Sequence, residues 1–596
     1  MTTGANMFDI YFTGFVIITM VIMLALEIAT PAYIVFGAMI TLNLGGVITV
    51  EEAFQGFSNE GMLAVAFLYV VSAGLQSSGL FTKTVYQLLG KKNLNRKKRY
   101  LRLLFPVAGL SAFLNNTPIV ASLIPVIKKW AKKNDFHDSK FLIPLSYAAI
   151  LGGMCTLIGT STNLVVHGLL RDSGMGGLGF FEITPIGLPI AIIIITIIST
   201  VGHYLLPETK EIETRLEESF REFVAEMKVE SDFPHLGETV EDANLRQLKG
   251  LFLFQITRDG EKISPVTPEE TIKENDRLFF TGMVDTIYDV QKTQGLTVVK
   301  DPEFDLKNLD SDDVDTYEAV ISRTSPLIGM TVRDSNFRQR YDGVILAIHR
   351  AGHRIDKKVG DIVIQPSDTL FILAKKEFAD KWRHSREFTL ISPSIDIYEK
   401  PKWKGNTALL LLFIMVLVAA TGILPIVLAA ALTAMIMVTI DIVNLQEAQE
   451  AIDWGVLAII ASSFGIAAGL KNSGFADFVA SHIISIFNGM GEIGILTGLF
   501  IAISSFTWVI TNNAVAAIMF PVTMSIANTV NIGTEPFLIT LLIAASTCFA
   551  TPIGYQTNTM VYGTGGYEIK HFLKIGIPIN ILICILTIIL LNFIYL

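Results

Sequence analysis

The chain has 596 residues, 51% of them hydrophobic, with a mean hydropathy of +0.52, which excludes an ordinary soluble protein of this length. The formal net charge is −9, and 66 of the 101 Asp, Glu, Lys and Arg residues fall in 207–402, so the flanks read as membrane and the middle as soluble. That middle part carries 28 basic against 38 acidic residues, which excludes a nucleic-acid surface, and the three cysteines (Cys155, Cys548, Cys584) lie in apolar stretches that exclude a disulfide framework.

Met1–Ile10 contains no Lys or Arg, whereas a signal peptide opens on positive charge. The apolar run 8–28 is therefore expected as a retained first helix, with a cleaved signal as the alternative. Further spans are expected at 31–48 and 61–78, each near the ~20 residues that cross a bilayer. An amphipathic stretch, Leu80–Leu89, leads into the basic run Lys91, Lys92, Arg96, Lys97, Lys98, Arg99 and Arg102. Leu103–Ile127 is apolar but interrupted by Asn115-Asn116-Thr117-Pro118, and each half is too short to span, which predicts a re-entrant hairpin with its tip at 115–118. The stretch 140–166 reads as a broken helix, because Cys155–Val166 places Gly159 and a run of small polar residues inside apolar sequence. Such a run is tolerated at membrane depth only where the freed backbone faces protein or a water-filled cavity. Gly174–Gly179 fits G-x-G-x-x-G but follows a membrane helix instead of a strand, so it reads as a loop. A span at 184–206 closes the first part.

The second part repeats this plan. Thr156, Ile158, Gly159, Thr162, Asn163 and Val166 recur 395 residues later as Thr551, Ile553, Gly554, Thr557, Asn558 and Val561. Asn116, nine residues before Pro125, matches Asn512, nine before Pro521. Transmembrane repeat 1 is thus expected at 1–206 and repeat 2 at 405–596. Eleven Lys and Arg flank the first break within 91–133, while 472–535 has none, so the two hairpins are expected to open to opposite sides. Five crossings per repeat invert the second copy, put both termini outside and make 207–402 cytoplasmic.

Inside the insert, 207–229 reads as a charged linking helix. Arg258–Ile263 leads, thirteen residues on, to Asp276, and Arg350–Ile355 leads by the same step to Asp368. Short alternating runs with Gly turns predict β-hairpins in two small α/β modules, at 230–298 and 314–390. His349 and His353, beside the second turn, are expected in solvent.

Four polar loops would converge at the midplane: Ser111–Thr117, Gly159–Asn163, Thr507–Asn513 and Gly554–Asn558. Half-helix N-termini offer N–H groups and a positive dipole end to an anion. Asn amides and Ser or Thr hydroxyls donate to its oxygens, while loop carbonyls suit a hard cation. The loops hold no Lys or Arg, which favours an oxyanion whose charge a cation compensates. No Walker motif or nucleophile–base pair stands out, so the expectation is a transporter and not an enzyme. A gated channel and a membrane sensor remain as other classes.

These motifs resemble the divalent anion:sodium symporter family, and the insert is similar to two TrkA-C (RCK-C) modules, with Gly360-Asp361 in the second copy. The combination is most similar to TrkA-C-containing sulfate permeases. The resemblance implies an α-helical polytopic protein with an inverted repeat, two re-entrant hairpins and two broken helices. It implies an elevator-type homodimer in the plasma or inner membrane, with a small-molecule regulator at the modules. It implies substrate contacts at Asn116, Thr117, Thr160, Asn512, Asn513, Tyr555 and Gln556. It also implies two Na⁺ sites, drawn from Ser111, Asn115, Asn116 and Gly159 in one half and from Thr507, Asn512 and Gly554 in the other. The family's Ser-Asn-Thr motifs are altered to Asn115-Asn116-Thr117 and Thr511-Asn512-Asn513, and its Pro-Pro pairs to Ser161-Thr162 and Gln556-Thr557. The departures point away from a dicarboxylate and toward sulfate, with Na⁺/C4-dicarboxylate symport, or proton coupling, as alternatives.

Overall fold

Thr49 and Asn444, 395 residues apart, open the same kind of short helix. Each side chain accepts from the backbone N–H three residues on, and Glu52 or Glu447 returns the bond to the cap, so both ends are closed by a capping box. The repeat is thus built into local hydrogen bonding before any long-range packing. The structure is a computed structural model that describes all residues except 1–6, 27, 77–79, 91–94, 135, 209–223, 244, 246–250, 260, 264–265, 268, 283–293, 300–313, 323–324, 351–352, 356, 358, 383–384, 386, 393–401 and 531. Lys91 and Lys92 lie outside the described residues.

The chain forms two compact units, one of Met1–Glu208, Asp396–Val561 and Glu568–Leu596, the other of Thr209–Ile395 with Tyr562–Tyr567. The first unit is helical. Its first half holds α1 (Met7–Ala25), α2 (Pro31–Leu44), α3 (Glu60–Gln76), α4 (Leu80–Leu89), α5 (Arg96–Ser111), α6 (Asn116–Lys133), α7 (Ser139–Gly153), α8 (Ser161–Asp172) and α9 (Thr184–Ile197). Its second half gives the same series as α10 (Lys402–Ala420), α11 (Ile426–Thr439), α12 (Trp454–Asn472), α13 (Phe475–Phe487), α14 (Gly491–Thr507), α15 (Asn512–Val530), α16 (Glu535–Ser546), α17 (Gln556–Thr564) and α18 (Ile569–Ile594).

Among the described residues, eight helical stretches are long and apolar enough to cross a membrane. α5 and α6 outrun their apolar cores by taking in Arg96–Arg102 and Lys128–Lys133. α15, with 19 residues, is long enough to span by itself, so shortness does not distinguish the second break as it does in the bare apolar pattern of the first. The halves interleave: α3 packs on α11, and its counterpart α12 packs on α2. They then differ. α3 lies against α8, whereas α12 lies against α15.

The second unit contains two five-stranded antiparallel sheets. β1 (Val224–Val229), β2 (Leu251–Arg258), β3 (Glu261–Ile263), β4 (Arg277–Gly282) and β5 (Leu296–Val298) are ordered β3-β2-β4-β1-β5. β6 (Val314–Ile321), β7 (Gly343–Arg350), β8 (His353–Arg354), β9 (Thr369–Lys375) and β10 (Phe388–Ser392) repeat that order, each strand five places on, as β8-β7-β9-β6-β10. Each sheet has its own apolar core, around Ile256, Leu278 and Phe280 in one and Ile348, Leu370 and Ile372 in the other.

The duplicated Arg and Asp explain themselves here. Arg258 grips Asp276 with two bonds of 2.8 Å, and Arg350 grips Asp368 with the same pair. Both carboxyls also accept a backbone N–H, from Lys273 and Gln365, that closes the turn before β4 and β9. Two expectations are corrected. The end of the charged stretch, Val224–Val229, is a strand and not helix, because pairing with β4 buries Met227 and Val229 and matches Glu226 with Arg277; residues 209–223 lie outside the described set. His349 is buried on β7, not solvated, because every position of that strand up to it faces covered surface.

Candidate functional site

The polar breaks are held open by their own side chains. Asn163 Nδ2 donates to the Thr156 and Gly153 carbonyls (2.8 and 3.4 Å), and Asn558 Nδ2 donates to the Thr551 and Cys548 carbonyls (3.2 and 2.7 Å). Thr156 Oγ1 donates to the Ala112 carbonyl, and Thr551 Oγ1 to the Trp508 carbonyl. Each bond recurs at an offset of 395 or 396, so backbone groups freed by unwinding are satisfied twice in the same way. Gly159 is required by close approach, since a Cβ there would lie 2.6 Å from the Gly153 oxygen and 3.0 Å from the Ala112 oxygen. At Gly554 a Cβ would run into the Thr507 carbonyl.

Four helices begin at these breaks, and side-chain bonds join their beginnings crosswise. Thr117 Oγ1 on α6 donates to Gln556 Oε1 on α17 at 3.0 Å. Ser161 Oγ on α8 donates to Asn513 Oδ1 on α15 at 2.9 Å, with Thr162 Oγ1 adding a second bond at 3.1 Å. The Tyr555 hydroxyl sits between them, 3.2 Å from Thr160 Oγ1 and bonded to the Asn116 amide. Asn512 Oδ1 accepts from the Asn513 N–H at 3.0 Å. All seven expected substrate contacts are therefore in one place. Neither Asn115 nor Thr160, the residues that precede α6 and α8, caps its helix through its side chain. Each helix end is worth roughly 0.3–1 kcal/mol to an anion.

Beside this lies an oxygen cluster. The Ala149 and Gly159 carbonyls can only accept, which orients Asn116 with Nδ2 toward them (3.1 and 3.2 Å) and toward Ser111 Oγ, and with Oδ1 toward Tyr555. The amide nitrogen thus holds the centre of an oxygen set that suits a hard cation, and turning the amide over would add its oxygen to that set. The counterpart is Thr507 Oγ1, which donates to the Ala545 carbonyl at 3.0 Å. It is not assembled like the first, because Asn512 Oδ1 turns back to the Asn513 N–H. Asn115 stands immediately before α6 and makes no side-chain bond to that helix's first N–H groups. Among the described residues no three His, Cys, Asp or Glu cluster as a metal site.

The sequence reading missed Asp453, whose Oδ2 lies 3.4 Å from Gln556 Nε2, and Gln76, whose Nε2 donates to Ser122 Oγ at 2.8 Å. It also missed Ser146, which donates to Asn558 Oδ1 at 2.6 Å. Asp453 did leave a signal, as a carboxylate standing alone at the head of an apolar span.

Unwound, paired helices in an apolar, many-helix unit define a multi-pass membrane transporter, and comparison with known proteins carries this to a family. A family model described as a citrate transporter matches residues 16–517 and 415–596. The chain belongs to that family, and it is a secondary transporter, not an enzyme. It is 34% identical to a Chlamydomonas reinhardtii protein described as "Putative sulfur deprivation response regulator", over 93% of this chain and 96% of that one. It is 29% identical to an uncharacterized transporter of Synechocystis, over 99% and 97%. It is 26% identical to sodium/sulfate cotransporter 1 of Chlamydomonas reinhardtii, over 92% and 86%.

Proposed function

We propose that the protein is a Na⁺-coupled symporter of a small divalent oxyanion, with sulfate as its substrate. The observation that carries this reading is the meeting of four helix N-termini, Asn116, Ser161, Asn512 and Gln556, around neutral donors without a single Lys or Arg in the loops. Helix dipoles and amide or hydroxyl donors hold the anion, and Na⁺ on the neighbouring oxygen clusters offsets its charge. The names of relatives, among them sodium/sulfate cotransporter 1, support both ions. A carboxylate substrate, as the family description suggests, is the second reading.

The mechanism that fits is an elevator. α5–α8 and α14–α17 carry the site as one moving bundle in each chain of a homodimer, against a scaffold that includes α1, α2, α10 and α11. Crosswise bonds such as Thr117–Gln556 and Ser161–Asn513 tie the two halves of that bundle together, as a rigid carrier needs. The protein lies in the plasma or inner membrane with 207–402 cytoplasmic and both termini outside. The sheets of the insert serve as TrkA-C-like regulatory modules. Supporting this, the two sheets repeat one strand order, and each keeps its own apolar core. A ligand of the modules acts by its differential affinity for the carrier's states. Uptake of sulfate, phosphate, citrate and succinate into proteoliposomes, each with and without a Na⁺ gradient, tests the assignment: sulfate uptake that needs Na⁺ supports it, and Na⁺-dependent uptake of only the carboxylates replaces it with the second reading.

A further inference from the structure

Among the polar contacts at the site that the repeat does not duplicate, one involves a carboxylate. Thr117–Gln556 and Ser161–Asn513 are counterparts at offsets of 395 and 396. From Gln556 the chain of bonds goes on: its Oε1 accepts from Thr117, while its Nε2 points to Asp453 Oδ2 at 3.4 Å. Asp453 stands immediately before α12 and is fixed there, because its Oδ1 accepts from the Val456 N–H at 3.1 Å. The residue 395 positions earlier is Ser58, which carries no charge and donates to the Gln55 carbonyl instead. One end of the site therefore faces a fixed carboxylate, and at the corresponding position of the other half stands a neutral serine.

A carboxylate in that position has a definite consequence for an anion carrier. The Gln556 amide is a donor that an oxyanion would use, and an ionised Asp453 is itself an oxyanion, held by the chain. Both cannot have the same N–H at full strength, and like charges repel over this distance. We infer that Asp453 is a tethered competitor for the substrate anion, which takes the Gln556 amide in this conformation and so promotes release from the site. This rests on the reading of the site as an anion site. It gives the carrier a bias that the duplicated residues cannot supply, since only one half of the repeat has the carboxylate. In the opposite conformation the bundle would leave Asp453 behind on the head of α12, and the anion would meet the Gln556 amide without competition.

The test is Asp453→Asn in the full-length protein, because Asn caps a helix as well as Asp does and removes only the charge. The expected result is tighter equilibrium binding of sulfate, on the order of tenfold for a lost contest over a charge-assisted bond, together with slower sulfate exchange in proteoliposomes. A merely structural role predicts weaker binding and slower exchange together. Gln556→Ala should remove the effect, so that Asp453→Asn/Gln556→Ala behaves as Gln556→Ala alone. Unchanged or weakened binding in Asp453→Asn, with a wild type that binds sulfate, overturns the inference but leaves the anion site standing. A wild type that binds neither sulfate nor succinate nor citrate overturns both.

Discussion

At the scale of the residue, the account depends on a few neutral side chains. Asn116 bonds Tyr555 on one side and the Ala149–Gly159–Ser111 oxygens on the other, so in the proposed reading it serves both the anion and the cation. Asn513 gathers Ser161 and Thr162. Asn116→Ala or Asn513→Ala should therefore reduce sulfate uptake by on the order of a hundredfold, as loss of a buried, preorganised donor does, while the protein still elutes from a sizing column as folded material. Wild-type-like uptake in both variants would remove the site assignment. Ser111→Ala and Thr507→Ala should instead raise the Na⁺ concentration for half-maximal uptake, on the order of tenfold, with Thr507→Ser close to wild type. Curves of uptake against Na⁺ that superimpose on wild type would separate these oxygens from the cation. These residues were legible in the sequence because unwound polar runs inside apolar stretches are tolerated only with a purpose, and here they recur 395 residues apart. Gln76 was not, and Asp453 showed only as a carboxylate at the head of an apolar span, because α3 and α12 bring them to the breaks by tertiary packing that no local pattern encodes.

At the scale of the element, the insert shows the same contrast. Its hairpins were readable from alternation and Gly turns, and the matching Arg and Asp spacings became matching ion pairs. β1 was not readable, since a charge-rich stretch becomes a strand only when β4 and β5 flank it. Asp368 is fully buried, and burial pushes its carboxyl above the ordinary range while the Arg350 guanidinium pulls it back. Arg350→Ala should cost this module about 3 kcal/mol by stranding the carboxylate. An acid whose folded pKa is raised loses stability as pH climbs from its unfolded value through its folded value, so the variant's deficit should grow from pH 4 toward neutrality. Protease protection of the insert in the full-length protein measures this. Because the insert is proposed to regulate and not to carry, sulfate uptake by this variant should persist at an altered rate. Complete loss of uptake from folded, membrane-inserted protein would contradict that division of labour.

At the scale of the whole molecule, the two halves of the helical unit repeat in sequence and in local bonding but not in how their long helices sit. α3 lies mainly on α8 and only lightly on α6, whereas α12 lies mainly on α15, although α8 corresponds to α17 and α15 to α6. In the elevator proposed above, such unlike positions of two copies of one plan correspond to one end of the cycle, and exchanging them would give the other end. Gln76 on α3 meets Ser122 on α6 in this arrangement. A Gln76→Cys/Ser122→Cys pair joined by a short bifunctional thiol reagent should arrest sulfate transport, with each single variant under the same reagent as control. Full transport by the crosslinked pair would show that α3 and α6 do not move past one another.

The central claim, a sodium-coupled oxyanion carrier, meets its most direct test in counterflow. Purified protein is reconstituted into liposomes loaded with unlabelled sulfate and diluted into trace labelled sulfate. The account predicts transient accumulation of label above equilibrium that requires Na⁺ and is lost in Asn116→Ala. Equilibration without overshoot would indicate a channel, and no sulfate flux with or without Na⁺, alongside counterflow of citrate or succinate, would contradict the substrate assigned here.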